Sequence, residues 1–245
     1  MVEIAIIGGT GFNSLQGLTI THREMVNTPY GQASSPLIYG EISGCKVVFL
    51  ARHGSGHTIP PHQVNYRANL WALHESGISK VIAIAAVGGI RDDMHPGQIA
   101  FPDQIIDYTW ARRHTFFEDR QNVEHIDFTY PYCEEVRQLL IDGAKAADLD
   151  PVTDGTYGAT QGPRLETAAE IQRLKGDGCD MVGMTGMPEA GLARELGLCY
   201  ASCAVVANWA AGIGDDLISM EIIEKNLNAG MEKVRALLDK GLPIL

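Results

Sequence analysis

Cysteine, aromatic residues and positive charge are all scarce in this chain of 245 residues. Its five cysteines are scattered and contain no CxxC pair, which predicts buried free thiols in a reducing compartment, the cytoplasm. No His/Cys cluster has the spacing of a zinc site, so no metal is expected. No apolar run approaches the ~18 residues of a membrane span, and the N-terminus does not match a signal peptide.

Lysine and arginine total 19 against 30 acidic residues, which gives a net charge of −11. A nucleic-acid-binding protein would need a basic stripe, and none is visible, so neither nucleic acid nor a membrane is expected as a partner. An anionic substrate must then be bound by a few local groups. An Arg-His pair beside a Gly-rich turn is therefore a stronger indication of an anion site here than it would be in a basic protein.

Apolar strand-like runs alternate with helical patterns along the chain. The runs are Ile4–Ile7, Val47–Ala51, Val81–Ala85, Met181–Gly183 and Tyr200–Val206. The helical patterns are about His62–Ser76, Pro131–Ala147, Thr167–Lys175, Pro188–Leu196 and Met220–Lys240. This alternation predicts an α/β fold with a largely parallel sheet, whose ligands bind at the carboxyl ends of strands. The less regular stretch 97–115 is expected to add shorter strands, and the length suits one domain over residues 1–245.

The N-terminal stretch EIAIIGGTGF predicts a buried strand that ends in a Gly-rich turn able to hold phosphate. A dinucleotide site would need a third glycine where Ser14 stands, and Glu24 lies in a polar stretch rather than at the end of a second strand. A Walker A loop is excluded because Gly-Lys-Ser/Thr is absent. We expect a smaller anion, held by the turn amides and the Thr10 hydroxyl. A plain turn and a nicotinamide dinucleotide remain alternatives.

Three further strand ends offer groups that suit an anion. Arg52 and His53 follow one strand, and arginine presents a planar fork of donors suited to phosphate. The small residues 85–89 form a predicted turn that lets a ligand approach backbone amides. Thr185 precedes a predicted helix, where it fits either an N-cap or an anion site.

The chain resembles the purine nucleoside phosphorylase and methylthioadenosine phosphorylase family. The matching stretches span almost the whole sequence in family order: IIGGTGF, ARHGSGHTIPPHQVNYRANLWAL, AAVGGIRDDMHPGQIAFPDQIID, TQGPRLETAAEI, DMVGMTGMPEAGLARELGLCYA and ANWAAG. The resemblance implies a mixed, distorted, barrel-like sheet surrounded by helices, and a homotrimer or hexamer. It also implies phosphorolysis, in which inorganic phosphate, a co-substrate, attacks C1' of a purine nucleoside without metal or organic cofactor.

The resemblance implies a phosphate site and a catalytic pair, assigned by matching positions. The phosphate-binding residues are Thr10, Arg52, His53, Ala85, Ala86 and Thr185. Ala85 stands where relatives often have Thr or Asn, so one side-chain donor is missing. His53 and Asn208 are the residues assigned to catalysis.

The remaining matched positions imply how the nucleoside is recognised. Met184 is expected beneath the ribose, and the base is expected among Leu165, Glu166, Asn208 and Ala210. Glu166 can accept from N1–H of a 6-oxopurine, and Asn208 can donate to its O6 and N7. Adenine reverses this pattern, so each mismatched buried polar group should cost roughly 1–3 kcal/mol.

The 5' end of the sugar is expected to be apolar. Met220 and Ile223 are three residues apart on one predicted helical face, with His57 nearby. His125 matches a histidine that reaches the 5' pocket of a neighbouring subunit. We therefore expect S-methyl-5'-thioinosine to yield hypoxanthine and 5-methylthioribose 1-phosphate. The alternative substrates are inosine or guanosine, and methylthioadenosine. The alternative classes of protein are a nicotinamide-dependent oxidoreductase and a non-catalytic nucleoside-binding protein.

Overall fold

The structure, a computed structural model, describes residues 3–9, 17–118, 122–214 and 219–244. Its strands are β1 (Ile4–Gly8), β2 (Thr19–Glu24), β3 (Leu37–Ile42), β4 (Cys45–Ala51), β5 (Lys80–Gly89), β6 (Ile99–Ala100), β7 (Gln104–Asp107), β8 (Thr156–Ala159), β9 (Met181–Gly183) and β10 (Cys199–Trp209). The predicted short strands within 97–115 are confirmed as β6 and β7. No helix in these ranges is long and apolar enough to cross a membrane.

Five α-helices lie within the described ranges. They are α1 (Tyr66–Glu75), α2 (Glu134–Ala146), α3 (Ala168–Gly176), α4 (Gly186–Glu195) and α5 (Met220–Gly241), with short 3-10 helices at Pro61–Gln63 and Leu242–Ile244. Local sequence explains where two of them begin. Thr167 and Glu170 form a capping box at the start of α3, and the Ser219 side chain accepts from the Ile222 amide at the start of α5. These helices match the five predicted segments.

The strands form one mixed sheet, as the family resemblance implies. Its order is β2-β3-β4-β1-β5-β9-β8-β7, and β10 pairs with β5 and β6 outside this path. The pairs β1–β4, β1–β5 and β5–β10 are parallel, whereas β2–β3, β3–β4 and β5–β9 are antiparallel. Because the parallel strands run in one direction, their carboxyl ends meet at one edge of the sheet.

Helices cover both faces of the central strands. Alternate residues of β1 pack into two different clusters, one containing residues of α2 and α5 and the other residues of α1 and α4. Strands covered on both faces are apolar at every position, which is why β1 and β4 were recognisable as continuous apolar runs. The two helical layers hold in place the parallel strands whose carboxyl ends form the edge that carries the candidate site.

Two predicted strand ends need correction, and three strands were missed. Residues 85–89 are not a turn, because β5 continues through Gly89 and pairs there with β10 and β9. Strand β10 likewise extends past Val206, with a bulge between Val206 and Asn208. The strands β2, β3 and β8 were not predicted from the sequence.

The cysteines also differ from the prediction of free thiols. Cys133, at the N-cap of α2, forms a disulfide with Cys199, the first residue of β10. Cys45, Cys179 and Cys203 are free. The two bonded residues are 66 positions apart in the sequence, so no local motif reveals the pair.

Candidate active site

One cavity of about 430 Å³ lies at the carboxyl ends of β4, β5 and β9, beside the loop before α3 and the first turn of α5. It gathers most of the residues predicted from the sequence: Arg52, His53, His57, Ala85, Ala86, Leu165, Glu166, Met184, Thr185, Asn208, Ala210, Met220 and Ile223. Thr10 lies outside the described residues. His125 is exposed and is not among the residues that line this cavity.

Arg52 is held in a buried ion pair that the sequence did not predict. Its Nε lies 2.7 Å from Oε1 of Glu189 and its Nη2 lies 2.8 Å from Oε2. The Arg52 and Glu189 side chains are 1% and 0% exposed, and the Tyr200 hydroxyl donates to Glu189 at 2.9 Å. The ion pair with Glu189 raises the pKa of Arg52 against the opposing effect of burial. Arg52 is therefore permanently charged, but its bidentate edge faces Glu189.

The other terminal nitrogen of Arg52 is packed against the Gly-rich segment. Nη1 donates to the Ile84 carbonyl at 2.8 Å. A Cβ on Gly9 would lie 2.5 Å from that carbonyl oxygen and 3.0 Å from Nη1, so only glycine fits here. Since a guanidinium has five N–H donors, the three bonds to Glu189 and Ile84 leave two donors without a partner among the described residues.

His53 has a fixed tautomer. Its Nδ1 lies 2.8 Å from the Ile59 carbonyl, which can only accept, so Nδ1 carries the proton. Burial first, and then the charge of Arg52, lower the pKa of His53 to about 4. At neutral pH the ring is therefore uncharged, and its Nε2 is an acceptor.

Thr185 occupies the N-cap position of α4, but its side chain makes no capping hydrogen bond. Thr185 is 7% exposed. The neighbouring wall is built from Ala85 and Ala86 of β5, which offer no side-chain donor. An anion at this wall would therefore depend on Arg52, on Thr185 and on backbone amides.

Two polar side chains from different elements reach the same cavity. Glu166, in the loop before α3, accepts a hydrogen bond of 2.6 Å from the Thr160 hydroxyl. Asn208 donates from Nδ2 to the Trp209 carbonyl at 2.6 Å, which leaves its second amide proton and its Oδ1 for other partners. The cavity thus presents a carboxylate acceptor and an amide that can both donate and accept.

A β-bulge sets the direction of Asn208. The pairing of β10 with β5 shifts register between Val206 and Asn208, so Ala207 has no partner in the ladder. The Asn226 side chain of α5 donates to the Ala207 carbonyl at 3.0 Å. Bulges beside functional sites re-aim the following side chain. Helix α5 therefore supports the bulge that orients Asn208.

The part of the cavity beside α5 is apolar. Ile223 is 9% exposed and Met220 is 64% exposed, and Ile59 and Pro60 contribute further apolar surface. His57 lines the cavity with a positive φ of 53°, and its ring centroid lies 4.7 Å from that of His53. Partial burial lowers the pKa of His57. The exposed Met220 indicates a wall that is open to solvent in the single chain.

Potential metal ligands are grouped elsewhere. Within the described ranges, Cys133, Glu135 and Cys199 come within 4.8 Å of one another. The two sulfurs are bonded to each other, so they offer no thiolate. None of these three residues lines the cavity.

Fold and cavity together define an α/β protein in which a buried guanidinium, a carboxylate, an amide and an apolar wall meet in one cavity. The family model described as Phosphorylase superfamily matches residues 3–242. The chain belongs to this superfamily.

Individual relatives cover almost the full chain. A probable S-methyl-5'-thioinosine phosphorylase from Pseudomonas syringae pv. tomato is 53% identical over 99% of both chains. A 6-oxopurine nucleoside phosphorylase from Pyrococcus furiosus is 45% identical over all of this chain and 94% of its own. The structure of Schistosoma mansoni methylthioadenosine phosphorylase with adenine has a TM-score of 0.93 at 32% identity, covering all of this chain and 92% of that one. These similarities agree with the resemblance found from the sequence motifs.

Proposed function

We propose that the protein is a pentosyltransferase of the purine nucleoside phosphorylase type that acts on 6-oxopurine nucleosides, with S-methyl-5'-thioinosine as the preferred substrate. A phosphate oxygen forms a bond to C1' while the bond from C1' to the base nitrogen breaks. The base leaves with the electron pair and takes up the proton that hydrogen phosphate loses on becoming the sugar phosphate ester, which gives hypoxanthine and 5-methylthioribose 1-phosphate. The observation that carries the proposal is that Arg52, His53, Glu166, Asn208 and Ile223 line one and the same cavity.

Phosphate is held by a small set of groups in this proposal. Arg52 donates through the two N–H groups that Glu189 and Ile84 leave unused, and Thr185 and the wall at Ala86 provide the surroundings. Neutral His53 accepts from the hydroxyl of hydrogen phosphate through Nε2. Preorganised donors that face the reacting anion in a largely water-free site are the main source of rate acceleration in such reactions. Thr10 is included on the strength of the sequence alone.

The base is recognised by complementary polarity. Glu166 accepts from N1–H of hypoxanthine, and Asn208 donates to the acceptors O6 and N7. The bond to N7 strengthens as the departing base gathers negative charge, so Asn208 contributes to catalysis as well as to binding. Met184 lies under the ribose, with Leu165 and Ala210 completing the walls around the base.

Base selection can be tested with one substitution. Asn208→Asp should lower kcat/KM for S-methyl-5'-thioinosine and raise the relative rate with methylthioadenosine, because a protonated carboxyl can donate to N7 while accepting from a 6-amino group. Asn228→Asp is the matched control, since it makes the same substitution at an exposed position of α5. Phosphate-dependent release of the base is followed spectrophotometrically. A wild-type enzyme that cleaves methylthioadenosine as efficiently as S-methyl-5'-thioinosine would contradict this assignment.

A relative named 6-oxopurine nucleoside phosphorylase makes inosine or guanosine the second candidate substrate. The apolar wall at Met220 and Ile223, with His57 beside it, favours a methylthio group over a hydroxyl. Comparing kcat/KM for inosine and S-methyl-5'-thioinosine decides between them. Equal values would remove the preference for the methylthio substrate.

We further propose that the 245 residues act as one domain and assemble as a homotrimer with shared sites. Met220 and Leu165 on the cavity wall are 64% and 45% exposed, which leaves room for a second copy. His125, on an exposed segment, is the residue proposed to enter the neighbouring site. Mixing inactive His125→Ala and Asn208→Ala subunits should restore activity if sites are shared. Fully active monomers in sedimentation would overturn the proposal.

A cytoplasmic location is also a proposal. It fits an enzyme that uses nucleosides and phosphate. The Cys133–Cys199 disulfide removes the argument from free thiols, because disulfides are rare in the cytosol. Cell fractionation with thiol trapping tests both the location and the state of this pair.

A further inference from the structure

Thr160, just after β8, uses all its polar groups at the edge of the cavity. Its amide donates to the Gly183 carbonyl at 2.8 Å. Its hydroxyl lies 2.6 Å from Oε1 of Glu166 and 3.3 Å from the Gly183 carbonyl. A hydroxyl has one proton, and the shorter distance is typical of a charge-assisted bond to a carboxylate. The proton therefore goes to Glu166, which makes no other hydrogen bond to a described side chain.

Arg112 ties the backbone around Thr160 to the segment that carries Met184. Its Nη1 donates to the Met184 and Met187 carbonyls at 2.9 and 2.6 Å. Its Nη2 donates to the Thr160 and Gln161 carbonyls at 3.2 and 2.8 Å, and its Nε to the Gln161 side chain at 3.1 Å. All five donors are thus used.

The environment of Arg112 is unusual for a buried cation. Arg112 is 7% exposed, and within the described ranges no carboxylate pairs with it. Carbonyl dipoles from two separate chain segments solvate its charge instead, and its guanidinium lies 5.7 Å from the Tyr66 ring centroid. A planar fork can span acceptors in several directions, whereas a lysine ammonium presents three donors from one atom. The arrangement is therefore specific to arginine.

We infer that Thr160 and Arg112 are positioning residues for base selection. The Thr160 hydroxyl holds Oε1 of Glu166, so that Oε2 is presented to N1–H of the base. Arg112 binds the Thr160 carbonyl and the Met184 carbonyl at the same time. It thereby fixes the position of Glu166, the proposed base acceptor, relative to Met184, the residue proposed to lie beneath the ribose. This inference rests on the proposed function, since it gives Glu166 the role of base acceptor.

The test compares nucleosides that differ at position 6. Thr160→Val should lower the ratio of kcat/KM for S-methyl-5'-thioinosine over methylthioadenosine about tenfold to hundredfold, the range for a lost charge-assisted hydrogen bond. Thr160→Ser keeps the hydroxyl and should restore the ratio to within about threefold of wild type. An unchanged ratio in Thr160→Val, or a lost ratio in Thr160→Ser, would overturn the role of Thr160.

A neighbouring threonine supplies the matched control. The Thr167 hydroxyl caps α3 through Glu170 and makes no bond to Glu166. Thr167→Val should therefore lower the melting temperature and leave the ratio at its wild-type value. If this variant changed the ratio as much as Thr160→Val does, the effect would be one of loop stability, and the inference would fail.

Arg112→Lys separates positioning from general support of the fold. We expect a higher KM for the nucleoside and a lower 6-oxo preference, with the KM for phosphate unchanged within about twofold. A proportional loss for both nucleosides and for phosphate would overturn the role of Arg112. Calorimetry with free hypoxanthine and adenine measures base preference without turnover. If the wild type shows no phosphorolysis, the proposed function fails. The calorimetric comparison of wild type with Thr160→Val still tests whether Thr160 orients Glu166, because a loss of hypoxanthine preference in the variant supports that role.

Discussion

Replacing Arg52 by methionine should destabilise the protein strongly before any question of catalysis arises. Glu189 is 0% exposed and would lose the cation that is paired with it. Removing one partner of a buried ion pair typically costs about 3–5 kcal/mol. Each kcal/mol lowers the melting temperature by about 2–4 °C for a chain of this size. The expected fall is therefore about 6–20 °C.

The double variant Arg52→Met with Glu189→Gln should recover most of this loss. Glutamine removes the buried charge, and its carbonyl oxygen still accepts from the Tyr200 hydroxyl. Neutral replacements of buried ion pairs are often close to wild type in stability. If Arg52 binds phosphate, however, the double variant should still need at least about tenfold more phosphate, because a charge-assisted contact is gone.

Thermal unfolding and phosphate-dependent base release are measured on the same four proteins, the wild type, the two single variants and the double variant. An exposed pair, Arg164 with Glu170, is the control: these side chains are 68% and 44% exposed, so the same double substitution there should change stability by less than about 1 kcal/mol. An Arg52→Met protein with a wild-type melting temperature would refute the ion-pair reasoning. A stable double variant with a wild-type phosphate KM would refute the phosphate role of Arg52.

Three further outcomes are expected. The free energy of unfolding should fall by up to about 3 kcal/mol as the pH drops from 6.5 to 4, because the pKa of His53 in the folded protein is about 4 and the unfolded chain binds the proton first. Denaturant titrations at several pH values should show a weaker pH dependence in His53→Gln, and equal dependence in the two proteins would contradict this. Asn226→Leu should lower kcat about tenfold by releasing the Ala207 carbonyl, with an unchanged phosphate KM; an unchanged kcat would argue against it. Ile223→Thr should reduce the preference for a methylthio group, worth ~1–2 kcal/mol, whereas Ile222→Thr, at a position 42% exposed, should not; identical ratios of S-methyl-5'-thioinosine to inosine activity would count against the apolar pocket.

The central strands could be predicted from the sequence because both of their faces are buried. Residues of β1 are apolar at every position, and the order of strand and helix follows from that signal. Strand β2 gave no such signal, since all six of its residues are exposed. Its pairing with β3 depends on backbone hydrogen bonds, which the sequence does not display.

Residues of the candidate site could be predicted where a polar side chain directly follows a strand, as Arg52 does. Its partner was not, because Glu189 lies 137 residues away and looks like any acidic residue near the start of a helix. The same holds for Thr160, Arg112 and Asn226, whose roles come from contacts with backbone carbonyls or with one other side chain. A pattern of residue types identifies the groups that touch a ligand better than the groups that hold them.

Helix α5 has a consequence for how specificity can change in evolution. Met220 and Ile223 face the cavity from its first turn, and Asn226, one turn later, holds the bulge that aims Asn208. A shift of this helix that made room for a different 5' substituent would also move the support of the base-binding amide. The two ends of the nucleoside are therefore not independent traits. A lineage that changes its sugar substituent should acquire compensating substitutions around the bulge before its preference for the base is restored.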